Sequence, residues 1–502
     1  MSSRILGFAL LLLPVAVLLA AYHRVLDAWW MADDSMHLLS VIRFGVPAHF
    51  LRPLSDLELT PSNLTPWLYA SYGIDYALGG LDPRGAYIHH LLSWCATLLA
   101  LGVALRRWLG PILAAAILVW FVLSLPTSLL VLLLCTRHYV EGLFAATLSI
   151  LAYSAYLRDP RRRYVMFSAF CYAWAISAKE IYVPLGPVLI VYQAVFGMPR
   201  DLIISAGSPV RAWLAAIMRS CRMLWPYLVV CAAYVPYRGY MLGFDRLLAG
   251  YSEAAWKTRP SMIFDLPATW EWACGWKHWQ SAAWLALIGA GIVRWLATTR
   301  PDIRLRGIAF GTIVALSLLL PLYPVLGLLT AYRVNTHYLL LPLLGFLVLA
   351  GWSTRECFAE LNHQKAGAPD LPLVGPARAG IAVLGCIAFF GFTQLATARR
   401  HAWPWQLHDE VAQYKVEGEF ELRSARQSLI LDAIGPAWHH YGLQQIRRIV
   451  LGLPSGPTAC APHQCAAAIV AAREAGIGCV RYREDLRRLD ETACTNSIAE
   501  RL

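Results

Sequence analysis

Long, uncharged apolar runs dominate this chain and leave few folds open to it. "ILGFALLLLPVAVLLA" at 5–20 and "IAVLGCIAFFGF" at 381–392 are typical, and arginine-bearing segments separate such runs. About 20 apolar residues, rising ~1.5 Å each, cross the ~30 Å hydrocarbon layer of a bilayer. The 502 residues are 58 % hydrophobic and only 15 % charged, where a soluble domain carries about a quarter charged residues. The sequence is that of an all-α polytopic membrane protein. Its first run has no convincing small-x-small cleavage site before Tyr22, so it reads as a retained helix rather than a signal peptide.

Spanning helices are expected near 5–22, 86–105, 111–134, 142–157, 164–179, 181–197, 223–241, 279–296, 307–329, 337–352 and 379–397, about 11 in all. The stretch 164–197 is too long for one crossing, and Lys179-Glu180 with Pro184 and Pro187 predicts a hairpin there. The net charge of +12 does not point to nucleic acid. Its positives gather in one set of loops (Arg106-Arg107, "RDPRRR" at 158–163, Arg200 to Arg222, Arg294 to Arg306, Arg355 to Arg378), the pattern of cytoplasmic loops. The other face receives 23–85, 135–141, Lys179-Glu180, 242–278, 330–336 and the tail. Two parts follow: a transmembrane domain over 1–397 with a large first extracytoplasmic loop at 23–85, and an extracytoplasmic α/β domain over 398–502.

In that tail "SLILDAI", "IRRIVLG" and "GCVRYRE" read as strands and "HQCAAAIVAAREAG" as a helix. Cys460, Cys465, Cys479 and Cys494 lie close together on a face expected to be oxidising, which suggests one or two disulfides. Zinc is the lesser alternative, since no Cys-x-x-Cys pair is present. The helix cysteines Cys95, Cys135, Cys171 and Cys386 read as small core residues.

Asp33, Asp34, Arg137, His138, Glu141, Lys179, Glu180 and Arg333 all fall at the non-cytoplasmic ends of the expected spans. Helix ends are where any membrane protein keeps its charges. Two acids in the first loop facing basic residues at later loop ends nevertheless suit one chemistry. A sugar on a polyprenyl phosphate offers its anomeric carbon at the membrane surface. The attacking hydroxyl needs a carboxylate to take its proton, and the departing phosphate needs Lys or Arg. Asp33 or Asp34 could be that base, and Lys179, Arg137 and Arg333 could hold the phosphate. His37, His138, Glu141 and Glu180 are candidates for positioning the acceptor, although His37 also reads as a plain surface histidine. No GxGxxG or P-loop is present.

Four segments make the resemblance specific: "ADDS" at 32–35, "YGIDYALGGLDPRGAYIHHLL" at 72–92, "HYVEG" at 138–142 and "AKE" at 178–180, with a weaker echo in "YRVNTHYLLLPLLG" at 332–345. Over roughly residues 1–350 the chain resembles the GT-C superfamily of membrane glycosyltransferases. That superfamily includes protein O-mannosyltransferases and lipid A aminoarabinose transferases, and the resemblance is nearest to its TMTC-like and bacterial polyprenyl-phosphate-sugar branches. It departs from them at His90, where Asn is common, and lacks the usual Pro after the histidine of the third helix. The resemblance implies an inverting transfer from a lipid-phosphate sugar to a glycan, lipid or protein acceptor, with a first-loop aspartate as base, Asp34 being preferred as the second acid. It implies no metal and no cofactor, and a place in a bacterial inner membrane with the active site on the periplasmic side. A polysaccharide polymerase or ligase, or a lipid-linked sugar transporter or flippase, is the alternative. Transporters usually show repeats and mid-membrane charges, and neither is evident. Five of the 20 tryptophans lie in "TWEWACGWKHWQSAAW" at 269–284; an interfacial aromatic belt explains them better than sugar stacking.

Overall fold

The computed structural model describes residues 3–53, 63–196, 209–244, 265–274, 278–299, 301–319, 336–363, 403–424, 427–434, 437–453, 457–460, 465–483 and 488–492. The chain is mostly helical. Its first apolar run is α1 (Ser3–Tyr22), and the first loop is itself helical: α2 (Asp34–Phe44), α3 (Val46–Leu51) and α4 (Pro66–Gly79). There follow α5 (Pro83–Leu109), α6 (Pro111–Leu123), α7 (Leu125–Leu132), α8 (Arg137–Arg158), α9 (Arg162–Ala178) and α10 (Leu185–Phe196). Then come α11 (Pro209–Met223), α12 (Trp225–Leu242), α13 (Leu266–Cys274), α14 (His278–Thr298), α15 (Pro301–Leu319) and α16 (Leu340–His363).

Among the described residues five helices are long and apolar enough to cross a membrane: Ile5–Asp27, Pro83–Leu109, Leu134–Arg158, His278–Ala297 and His337–Arg355. Two bent pairs raise the number to seven, Pro111–Leu123 with Leu125–Leu132 and Leu214–Met223 with Trp225–Leu242. The expected count of about 11 is thus reached only in part, and 379–397 lies outside the described residues. The expected single span at 111–134 is broken by 63°. Ser124 is extended there, and Pro126 stands in the first turn of the next helix. Proline has no N–H with which to continue the preceding helix, and that donor is dispensable in a first turn. The 164–197 stretch does turn at Lys179, which is extended between α9 and a short turn at Glu180–Tyr182. Exposed Phe8, Leu92, Phe170 and Val293 leave apolar helix faces outward, as lipid contact requires.

Pro83 opens α5 after Asp82, whose side chain accepts from the Arg84 N–H at 3.0 Å. Gly110 closes it at φ +82, a conformation open to glycine. Arg106 and Arg107 stand in its last turn, where cations complement the helix dipole. The core that steadies the first loop is aromatic: Trp30, Tyr72, Tyr87, Trp94 and Phe121 are all buried in it.

The tail holds α17 (Trp403–Arg423), β1 (Ser428–Leu431), α18 (Ala437–Val450), β2 (Thr458–Ala459), α19 (Cys465–Glu474), β3 (Gly478–Arg483) and β4 (Arg488–Thr492). The sheet order is β2-β1-β3-β4, with β1 parallel to both neighbours and β4 antiparallel to β3. The expected strand in "IRRIVLG" is instead the end of α18. His439, Leu443 and Ile446 are buried at helical spacing, and the buried Arg447 donates to the carbonyls of Glu421 and Leu422 at 2.9 and 3.2 Å. Those carbonyls end α17 and lack partners within their own helix. A disulfide joins Cys460 to Cys465, and Cys479 is disulfide-bonded as well. Cys494 lies outside the described residues.

Candidate functional site

The first loop is stitched down before it reaches its acids. After α1 the chain passes through a short turn at His23–Asp27 and then runs buried through Ala28, Trp29, Trp30 and Met31. The Tyr87 hydroxyl donates to the Trp29 carbonyl at 3.1 Å, and the Trp30 indole donates to the Leu81 carbonyl at 2.9 Å. Ala32 then takes a left-handed φ of +49, unusual for a residue with a Cβ. Met31 and Asp34 close the turn reciprocally. The Asp34 N–H donates to the Met31 carbonyl at 2.9 Å, and the Met31 N–H donates to Asp34 Oδ2 at 2.8 Å.

Asp33 and Asp34 therefore live in different surroundings. Asp33 is half-buried. Asp34 is 0 % exposed, and its Oδ1 accepts from the Tyr72 hydroxyl at 2.8 Å. Burial pushes its carboxyl up to about 7, against the lowering pull of the Met31 and Tyr72 hydrogen bonds and the Arg137 charge. Asp34 is thus hard to ionise, and burial rather than repulsion by Asp33 is the cause.

Tyr72 also carries the nearest cation. The Arg137 guanidinium carbon lies 4.1 Å from the Tyr72 ring centre, a cation–π contact. Arg137 is fully buried and its Nη1 pairs with Asp75. Its Nε and Nη2 find no hydrogen-bond acceptor among the described residues. Burial alone would raise the Asp75 carboxyl. The Arg137 charge and the bond to His89 outweigh that and hold it below its ordinary value.

One face of α4 organises these groups. Trp67, Ser71 and Asp75 follow one another at intervals of four, the spacing of a single helix stripe. The Trp67 indole and the Ser71 hydroxyl each donate to Glu141 at 2.7 Å, and His89 Nδ1 is 2.8 Å from Asp75. His37 packs against Tyr69 and Tyr72, with ring centres 5.5 and 5.7 Å away, and burial lowers its pKa to about 3. It is a neutral buried histidine, not a surface one.

A second cluster surrounds Tyr139. Lys179 is 4 % exposed and its Nζ lies 4.9 Å from the Tyr139 ring. Burial lowers its pKa to about 8, which leaves it mostly cationic at neutral pH. His138 and His337 flank the same ring at 4.7 and 5.2 Å. Glu180 turns elsewhere. It accepts from the Tyr234 hydroxyl at 3.0 Å and pairs with Arg238 at 3.1 Å, tying α12 to the Lys179 turn. Arg333 lies outside the described residues.

Sequence reasoning missed Tyr72, Asp75, His89 and His337. The Trp67–Ser71–Asp75 spacing was the available signal for the α4 face, whereas nothing local marks Tyr72 as the link between Asp34 and Arg137.

The sequence matches no family model and no curated protein. Among solved structures it is similar to ArnT from Cupriavidus metallidurans bound to undecaprenyl phosphate, at 14 % identity and a TM-score of 0.45, over 97 % of this chain and 98 % of that one. It is also similar to the archaeal oligosaccharyltransferase AglB from Archaeoglobus fulgidus in complex with an inhibitory peptide and a dolichol-phosphate. That likeness has 11 % identity and a TM-score of 0.47, over 95 % of this chain and 69 % of that one. An Archaeoglobus fulgidus oligosaccharyltransferase tethered to an acceptor peptide with an NVT sequon gives 12 % identity and 0.46 over the same shares.

Proposed function

We propose that this chain is a membrane glycosyltransferase that moves a sugar from a polyprenyl-phosphate donor to an exported or surface acceptor, with inversion at the anomeric carbon. The observation that carries the reading is the Tyr72 bridge. Its hydroxyl holds a first-loop carboxylate, and its ring holds a buried arginine with two unsatisfied donors. Buried N–H groups of a charged side chain are costly without an acceptor, and a phosphate oxygen is the acceptor a guanidinium fork suits.

Exposure supports Asp33 as the base, reversing the sequence-based preference for Asp34. Asp33 is half-buried, while Asp34 is sealed with a donor on each oxygen. In this reading the acceptor hydroxyl gives its proton to the Asp33 carboxylate as its oxygen bonds to the anomeric carbon. The bond from that carbon to the phosphate oxygen breaks, and its electron pair leaves on the lipid phosphate. Arg137 and Lys179 stabilise the charge that develops there. Asp34 sets the position of Tyr72 and through it of Arg137.

The test is glycan transfer in membranes carrying Asp33→Asn, Asp34→Asn or both, at matched protein levels. Asparagine keeps the shape but cannot take a proton at neutral pH. General bases contribute ~10²–10⁴-fold, and the double variant should lose about that much. Wild-type transfer by the double variant would sink the proposal.

A further inference from the structure

The C-terminal part packs on the first loop, and His439 hydrogen-bonds to it twice. The His439 backbone carbonyl accepts from the Ser35 hydroxyl at 2.9 Å, and His439 Nδ1 stands 3.1 Å from the Ala32 carbonyl. Ala32 and Ser35 are the two residues that bracket Asp33 and Asp34. We infer that His439 is a positioning residue for the reaction, clamping the turn that aims Asp33, so that the tail is part of the active site. This rests on the reading of Asp33 as the base.

A carbonyl can only accept, so the Nδ1 of His439 must carry the hydrogen and donate. The ring is buried, and burial together with the neighbouring His440 pushes its pKa down to about 3, which keeps it neutral. Tyr414 of α17 meets it edge-on at 5.4 Å. The clamp is itself braced, because His440 Nδ1 lies 2.8 Å from the buried Glu421 of α17. Two glycines permit the approach. A Cβ on Gly442 would stand 2.6 Å from Ser35 Oγ, and one on Gly418 would stand 2.2 Å from the Trp29 indole nitrogen. Ala32 needs such an external hold, since its left-handed backbone is disfavoured for a residue with a side chain.

The experiment compares the full-length wild type with His439→Ala and His439→Asn in transfer kinetics and in amide exchange over residues 30–36. Asparagine places an amide N–H where Nδ1–H stands. The Ala variant should lose up to ~10²-fold in kcat with KM for the donor unchanged, the effect of misplacing a reacting group by about 1 Å. Its exchange over 30–36 should rise, and the Asn variant should restore both. If the Ala variant does not accumulate, Ser35→Ala removes the other hydrogen bond and should raise exchange over the same segment. Wild-type exchange in the Ala variant (or in Ser35→Ala where that replaces it), or an Asn variant as slow as the Ala variant, overturns the clamp. Full activity in Asp33→Asn would instead remove the base assignment, and the exchange result would still decide the clamp.

Discussion

Asp33 and Asp34 are chain neighbours with opposite situations, and each predicts its own behaviour. The Asp34 carboxyl titrates at about 7 in the folded protein, against ~3.9 for a free aspartate. The folded state therefore holds an extra proton between those values. Stability from that proton is fully present below ~4 and is lost as pH rises through about 7. Asparagine cannot ionise, so the melting temperature of Asp34→Asn relative to wild type should move in favour of the variant between about pH 5 and about pH 8. A pH-independent difference would mean that Asp34 is not buried as described. Lys179 gives a different contrast. It is buried and makes no ion pair among the described residues, so Lys179→Met removes an unneutralised charge. Donor turnover should fall while thermal stability holds or rises. Loss of both would make Lys179 a structural residue.

Among the elements, α4 joins the site, because Trp67, Ser71, Tyr72 and Asp75 tie it to Glu141, Asp34, Arg137 and His89. Removing one partner of a buried ion pair typically costs about 3–5 kcal/mol, so Arg137→Met should destabilise the fold by that order as well as slow transfer. Thermal unfolding measures it, and an unchanged melting temperature would contradict the buried Arg137–Asp75 pair. The apolar runs were legible in sequence because a bilayer fixes element length directly. The turn at Lys179 was legible too, since a charged pair followed by prolines cannot continue mid-span. The helicity of α18 was not: "IRRIVLG" alone is a short apolar run, and its period shows only when His439 and Leu443 are included. Asp33, Asp34, Arg137 and Lys179 stood out because charges are scarce within the expected spans and these gather at the non-cytoplasmic ends. Tyr72 and His439 did not, because their roles come from partners 38 and 407 residues away.

In the molecule as a whole, a helical membrane part carries a tail that touches the first loop. The first loop and the tail must then share one side of the membrane, so reporter fusions within 45–62 and after residue 424 should report the same compartment. Fusions reporting opposite sides would separate His439 from Ala32 and undo the clamp. The central claim is the reaction itself. Purified wild-type protein in liposomes, given polyprenyl-phosphate-linked sugars extracted from its own membranes together with acceptor, should release polyprenyl monophosphate as the sugar is transferred. Asp33→Asn in the same liposomes should release it ~10²–10⁴-fold more slowly. Equal release by the two proteins, or transfer that liberates a polyprenyl diphosphate, would contradict the account.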